Sequence, residues 1–409
     1  MPHVSRSFPP PLPSSPRCPS PTRLTVDLAA IVSNLREARR HAGSRDLLFA
    51  VKADAYGHGA VEVAQEVERT GAADWLAVAT VAEAQELVEA GVGLPILKLS
   101  PASPEDLGVA VTTGIRLTVL DAPTVAEADA AAGRAGVVTK VHVGVDTGMG
   151  RIGLGPERFD EVVRAVDEAD HLELEGVFTH LPISDVADGD DFTVAQIARF
   201  LDAVARTEAR RGRIRQVHMA NSGAILGHDL GRTTMVRAGI VGYGYDPDPA
   251  RSTGPAPRAH LRPALRWASR IGFVKTVEKG TTIGYGRTWA APRRTTIVTV
   301  PVGYADGYPR LLSNRGRVLI GGVAHPVVGR VCMDQIMVDV GADADVKVGD
   351  EVVLLGRQGD VEITADELAE LTGTISYEIT CGISKRVDRS WTGGGSAPEG
   401  GRSGDDQRR

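Results

Sequence analysis

The chain has 409 residues, 42% of them apolar, and 46 Lys and Arg against 52 Asp and Glu give a net charge of −6. That length exceeds one compact core and leads to two domains, while a mildly acidic balance without a basic stripe argues against nucleic acid as a main partner. No apolar run is long enough to span a membrane, and the three widely spaced cysteines, Cys18, Cys332 and Cys381, form neither a disulfide framework nor a zinc spacing, so a reducing, cytoplasmic compartment is expected and no metal site is.

Residues 1–21 are rich in Pro and Ser and lack the apolar stretch of a signal peptide, so they read as a disordered tail, native or from a start placed too early. From Asp27 to Gly43 the pattern is helical. Asp27 caps it, Leu28, Ile31 and Leu35 form its apolar stripe, and Gly43 ends it. Short apolar runs then alternate with amphipathic stretches such as Val81–Ala90 and Pro156–Glu168. The runs are Leu47–Val51, Trp75–Ala79, Pro95–Leu99, Ile115–Leu120, Val137–Val145, Leu174–Phe178, Arg215–Met219 and Met235–Val241. Buried strands alternating with helices predict a parallel sheet, and about eight such units make a closed (β/α)8 TIM-type barrel. An open doubly wound sheet is the runner-up, but no Gly-x-Gly-x-x-Gly loop opens a first helix.

Asp246–Pro263 reads as a linker. After it come β-rich runs at Ala268–Val277, Thr295–Val302, Arg317–Ile320, Val323–Val331, Gln335–Val340 and Glu351–Leu355. One helix is predicted at Ala365–Leu371 with Thr364 as its cap. The expected division is a barrel over 22–250, a mostly β domain over 251–392, and a Gly/Ser/charge-rich disordered tail over 393–409.

Polar residues cluster just past the predicted strand ends, where a barrel carries its active site. Lys52 follows the first strand, Asp146 and Arg151 the fifth, His180 the sixth, and His218, Asn221 and Ser222 the seventh; Arg237 and Gly239 belong to the eighth. A lysine at the mouth of a buried strand is partly desolvated, which lowers its pKa and frees its amine to condense with an aldehyde cofactor. Taken alone, a solvated strand-end lysine is the commoner case.

The segment Ala50-Val51-Lys52-Ala53-Asp54-Ala55-Tyr56-Gly57-His58-Gly59 changes those odds. It resembles the cofactor-lysine motif of the alanine racemase family, and further matches follow in the family's order. They are Asp146-Thr147-Gly148-Met149-Gly150-Arg151, Phe178-Thr179-His180, His218-Met219-Ala220-Asn221-Ser222, Val236-Arg237-Ala238-Gly239-Ile240 and Gly284-Tyr285-Gly286. Val302-Gly303-Tyr304-Ala305-Asp306-Gly307-Tyr308, Gly329-Arg330-Val331-Cys332-Met333-Asp334-Gln335 and Ser376-Tyr377-Glu378 complete the set. The resemblance covers roughly residues 22–390 and implies a pyridoxal 5′-phosphate barrel followed by a β domain.

It implies more about roles. Racemisation needs a base on each face of the substrate, and the resemblance makes these Lys52 and Tyr285. The tyrosine comes from the second subunit of a homodimer with shared sites and contacts His180. Tyr56, Ser222, the backbone of Gly239 and Ile240, and Tyr377 are implied to hold the phosphate. Arg237 faces the pyridine nitrogen with His218 and Asn221 nearby, and arginine cannot take up that nitrogen's proton. Arg151, Tyr304, Met333 and Asp334 are implied to line a tight pocket for alanine, interconverting its L- and D-forms for peptidoglycan. A racemase of broader or different specificity, serine for example, stays open, as do a decarboxylase of related architecture and a non-catalytic cofactor carrier. An acidic residue in place of Arg237 would favour the decarboxylase, and a missing second domain the carrier.

The chain departs from the family pattern at Leu181-Pro182-Ile183-Ser184-Asp185, at Ala238 and Asp388 where proline is usual, and at Gly144. There the family commonly carries a carbamylated lysine that supports the arginine matching Arg151. A small anion such as chloride, or ordered water, is expected in the vacated space, with Gly144 pointing into the barrel beside His142 and Asp146.

Overall fold

A computed structural model describes residues 20–248 and 259–394; most of both expected tails and part of the expected linker lie outside the described residues. The strands used below are β1 (Arg23–Asp27), β2 (Asp46–Ala50), β3 (Trp75–Val78), β4 (Ile96–Lys98), β5 (Leu117–Val119), β6 (Thr139–Gly144), β7 (Leu172–Phe178), β8 (Gln216–His218), β9 (Met235–Ala238) and β10 (Leu265–Arg270).

Strands β2 to β9 are parallel neighbours in the order β4-β3-β2-β9-β8-β7-β6-β5. A bridge between Leu97 and Arg116 joins the two ends of that row and closes the barrel. Each strand falls within or overlaps one of the eight apolar runs read from the sequence. Continuous apolar runs are what a sheet buried on both faces requires. The helix Leu28–Ala42 is capped as predicted, with Ala30 N donating to Asp27 Oδ1 at 2.9 Å. Its apolar stripe Leu28, Ile31 and Leu35 is buried.

The β-rich part forms two main sheets. One runs from Asp388–Thr392 through β1, β10, Glu351–Gln358 and Arg317–Ile320 to Val323–Pro326; the other joins Phe273–Val277, Thr295–Val300 and Ile336–Gly341. The single predicted run Ala268–Val277 is therefore two strands in different sheets. It breaks at Ile271-Gly272, where Ile271 N donates to Asp350 O and Gly272 N to Thr299 O, one bond toward each sheet. β1 belongs with this β layer rather than with the barrel, pairing antiparallel with β10 and parallel with Asp388–Thr392.

Two close contacts join the barrel mouth to the β layer. A Cβ on Gly57 would lie 2.3 Å from Thr380 O, and one on Gly59 would lie 2.6 Å from the Trp391 ring. Only glycine allows that approach. Farther back, the fully buried Asn34 donates to Arg262 O at 2.8 Å and to Gly242 O at 3.3 Å, and accepts from Arg262 N at 2.8 Å. Replacing Asn34 by Ala strands these backbone groups, so Asn34→Ala is expected to cost about 2–3 kcal/mol in urea denaturation. A loss under about 0.5 kcal/mol would show that water takes over these bonds.

Candidate active site

The C-terminal ends of the barrel strands open into a cavity of about 560 Å³. Nine of the residues singled out in the sequence line it: Lys52, Tyr56, Arg151, His180, Asn221, Ser222, Arg237, Gly239 and Tyr377. His218 lies beneath its floor, fully buried and stacked on Phe178 at 5.2 Å between centroids. Ile240 is buried at the first turn after β9.

Lys52 opens a short turn whose next four residues, Ala53, Asp54, Ala55 and Tyr56, all have φ between 52° and 55°. A left-handed turn of non-glycine residues costs roughly 1–2 kcal/mol per residue, and such strain gathers at functional sites. The surroundings hold it in place. Ala53 N donates to Glu83 Oε1 at 2.7 Å, Ala55 N to Val51 O at 2.8 Å, and Asp54 Oδ1 accepts from Ala60 N at 2.9 Å. The turn faces Lys52 and Tyr56 into one cavity. Burial first, then the charge of Arg151, pushes the Lys52 ammonium pKa down, against the pull of Glu83.

Opposite Lys52, a cradle of hydroxyls closes around Gly239. Ser222 Oγ accepts from Gly239 N at 3.0 Å and Val241 N at 3.3 Å. A Cβ at Gly239 would sit 3.2 Å from Tyr56 Oη and 3.6 Å from Ser222 Oγ, so a side chain there would fill the cradle. Burial raises the hydroxyl pKa of Tyr56 and of Tyr377, so both remain donors. Asn221 caps the helix Ser222–Gly227, accepting from Ala224 N at 3.1 Å. It is itself held by Ser184 Oγ at 2.7 Å and Leu181 O at 2.9 Å, both in the loop where the chain departs from the family pattern.

Arg237 forms the floor at 6% exposure. It donates to Thr179 O (2.9 Å), Met219 O (3.0 Å), His218 Nδ1 (3.0 Å) and His180 Nδ1 (3.1 Å). Burial and the nearby Arg151 bring its pKa down to about 9, still charged at neutral pH. His180 is pushed down to about 3, by burial first and then by Arg237, so it is neutral. Since its Nδ1 accepts from Arg237, its hydrogen sits on Nε2.

The other four predicted residues are not in this cavity. Tyr285 is 73% exposed on a turn at Tyr285–Arg287, Tyr304 is 43% exposed and Met333 53%. Asp334 is exposed and pairs with Arg386 at 2.8 Å. The bonds Tyr304 N to Cys332 O and Ala305 N to Met333 O, both 3.0 Å, gather the Tyr304 and Met333 loops into one surface patch.

Two family models cover most of the chain: the N-terminal domain of alanine racemase over residues 26–247 and its C-terminal domain over 264–391. The chain belongs to the alanine racemase family. It is 63% identical to an alanine racemase of Cutibacterium acnes over 92% of this chain and 100% of that protein. It is 47% identical to one of Symbiobacterium thermophilum over 91% and 97%. Among solved structures, alanine racemase of Bacillus anthracis with bound L-Ala-P superposes with a TM-score of 0.85 at 36% identity, covering 93% of this chain and 97% of that one. The Clostridium difficile enzyme gives 0.85 at 38%, covering 92% and 98%.

At Gly144, where the family pattern led to the expectation of a small anion or ordered water in place of a carbamate, apolar side chains stand closest. A Cβ there would meet Leu120 Cδ2 at 2.7 Å and Phe178 Cζ at 3.2 Å. Apolar groups fill the space beside Gly144, which disfavours a bare anion. Other lining residues had no site role assigned from the sequence, among them Ser100, Ile152, Phe178 and Cys381. Cys381 had a usable signal: it stands four residues after Tyr377, one face of a helical turn, and the helix Ser376–Cys381 forms there. Glu83, which ties the left-handed turn, carried only the capping-box spacing Thr80-Val81-Ala82-Glu83, which marks a helix start and not a site.

Two measurements check this geometry. Ala53→Gly relieves one left-handed residue and is expected to raise stability by roughly 0.5–1 kcal/mol after the glycine's own entropy cost; a loss of stability would mean that the turn is not left-handed. Burial also lowers the ring pKa of His58, to about 4, and those of His142 and His218 with that of His180. Unfolded, each titrates near 6.5. A folded value below the unfolded one gives stability that is complete above pH 6.5 and drains as pH falls toward the folded value. Apoprotein should lose about 1.4 kcal/mol per pH unit for each of His58 and His180 below pH 6.5 and above their folded values. A flat urea profile between pH 7 and 5 would contradict neutral burial.

Proposed function

We propose that this chain interconverts L- and D-alanine with pyridoxal 5′-phosphate as cofactor. The observation that carries this is the convergence, in one cavity, of a desolvated Lys52, a hydroxyl cradle and a donor-only cation, Arg237. These donors fit the cofactor. Tyr56, Ser222 and Tyr377 with the backbone of Gly239 and Ile240 would hold its phosphate, and Arg237 would face its ring nitrogen. When bound, the cofactor supplies a sink for the electrons left at the substrate's α-carbon.

The residues supply the rest. The Lys52 amine, deprotonated in part through burial and neighbouring cations, takes or returns the α-proton on one face. Arg237 donates and accepts nothing, so no proton is lost to the ring side. Arg151 offers a guanidinium to the substrate carboxylate. On the opposite face the base is Tyr285 of the partner subunit. His180 supports that assignment, because its Nε2–H is a neutral donor able to bind a phenolate oxygen. The exposed patch of Tyr285, Tyr304 and Met333, with Asp334 beside them, favours a homodimer in which each patch closes the partner's cavity. Met333 and Tyr304 then limit the side chain to a small one. Free Cys332 and Cys381 fit a reducing cytoplasm, and supply of D-alanine for peptidoglycan is the role we propose there.

Borohydride reduction of the holoenzyme should fix the cofactor on Lys52; label at another lysine would sink the assignment. Tyr285→Phe should slow racemisation by about 10²–10⁴-fold in both directions with cofactor retained, while solvent-hydrogen exchange at the α-carbon persists for the one enantiomer that Lys52 deprotonates. Mixing Lys52→Ala and Tyr285→Phe subunits should restore activity, because one hybrid site holds both residues intact. No recovery after proven subunit exchange would place both bases in one chain.

A further inference from the structure

Beneath the cavity floor a row of side chains crosses the barrel interior. Arg237 Nη1 lies 3.0 Å from His218 Nδ1, and His218 Nε2 lies 2.8 Å from His142 Nδ1. His142 Nε2 faces Glu175 Oε2 at 3.6 Å and has no hydrogen-bond partner among the described residues. The four side chains come from β9, β8, β6 and β7, and their residues are 6%, 0%, 0% and 1% exposed.

The direction of every donor in this row is forced. Arginine has no acceptor, so Arg237 donates to His218 Nδ1. His218 then carries its hydrogen on Nε2 and donates to His142 Nδ1. His142 in turn holds its hydrogen on Nε2, aimed at the carboxylate. Arg116 at 3.1 Å, Lys140 at 3.3 Å and Arg215 at 3.7 Å surround Glu175, and it stays ionised. Around Arg237 itself the partners are two carbonyls and two histidines, with the cations Arg151 and Lys52 nearby. A buried guanidinium without an adjacent carboxylate is costly unless dipoles around it are aligned.

We infer that Glu175 and His142 are positioning residues for Arg237. The carboxylate orients a one-way line of N–H donors, the line fixes His218 as an acceptor, and that acceptor holds Arg237 as a donor-only cation facing the cavity. Reversing His142 would set two N–H groups against each other and turn His218 away from Arg237. The inference rests on the reading of Arg237 as the group that faces the cofactor.

Nitrogen-15 NMR of histidine-labelled wild-type apoprotein reads the tautomers without any variant. His218 and His142 are both expected as neutral Nε2–H rings between pH 6 and 8. In the holoenzyme, Glu175→Gln and His142→Phe are expected to keep the cofactor's absorption band and lose about 10–100-fold in kcat, with KM changed about threefold at most. Either ring found as Nδ1–H overturns the proposal, and so does wild-type kcat in both folded variants. If the tautomers are as expected and Arg237→Gln leaves kcat unchanged, the reading of Arg237 fails instead, and the donor line stands as a purely structural one.

Discussion

A guanidinium buried at the mouth of the barrel needs acceptors for its hydrogens, and the ends of β7, β8 and β9 supply four of them. Strand ends leave carbonyls without ladder partners, and Arg237 uses two of them, at Thr179 and Met219. The remaining acceptors are imidazole nitrogens, which serve only while the rings are neutral. Burial keeps them neutral. The cation adds to that effect of burial and sets the tautomer of both His180 and His218.

The same need for a dry, cation-rich cavity governs Lys52. An ammonium beside Arg151 and Arg237 in a partly buried site gives up its proton more readily than one in water. Placing the amine there demands a left-handed turn, and that strain persists only where neighbours over-determine it. Glu83 supplies part of this support by accepting from Ala53 N, Ala79 N and Thr80 N at once. The β layer supplies more. Trp391 Nε1 donates to His58 O at 2.9 Å and Arg389 Nε to Gly57 O at 2.9 Å, so the end of the turn is clamped from the second domain.

That clamp also explains a division within the chain. The helix Ser376–Cys381 packs on the turn and brings Tyr377 and Cys381 into the cavity of its own barrel. Tyr285, Tyr304 and Met333 sit on the same β layer yet remain on its surface. One domain thus both lines the cavity of its own barrel and displays an exposed patch of aromatic and apolar side chains.

Local patterns in the sequence determined a good deal by themselves. Eight buried runs, the cap at Asp27 and the helix after Thr364 are properties of a few neighbouring residues, and they appear in the structure where the patterns placed them. Lys52, Arg151, His180, Ser222 and Arg237 were legible because side chains at the ends of parallel strands must converge once the barrel closes, whereas Tyr56 and Tyr377 were reached only through the family motifs. Tertiary structure alone decided the rest. The pairing of β1 with strands more than two hundred residues away, the split at Ile271-Gly272 and the Leu120 side chain that fills the space beside Gly144 all depend on contacts between distant segments. So does the row from Arg237 to Glu175. His142 and Glu175 have nothing in their neighbouring residues to mark them. They act together because a closed barrel points alternate residues of separate strands into one narrow interior, where each polar group must find its partner among the others.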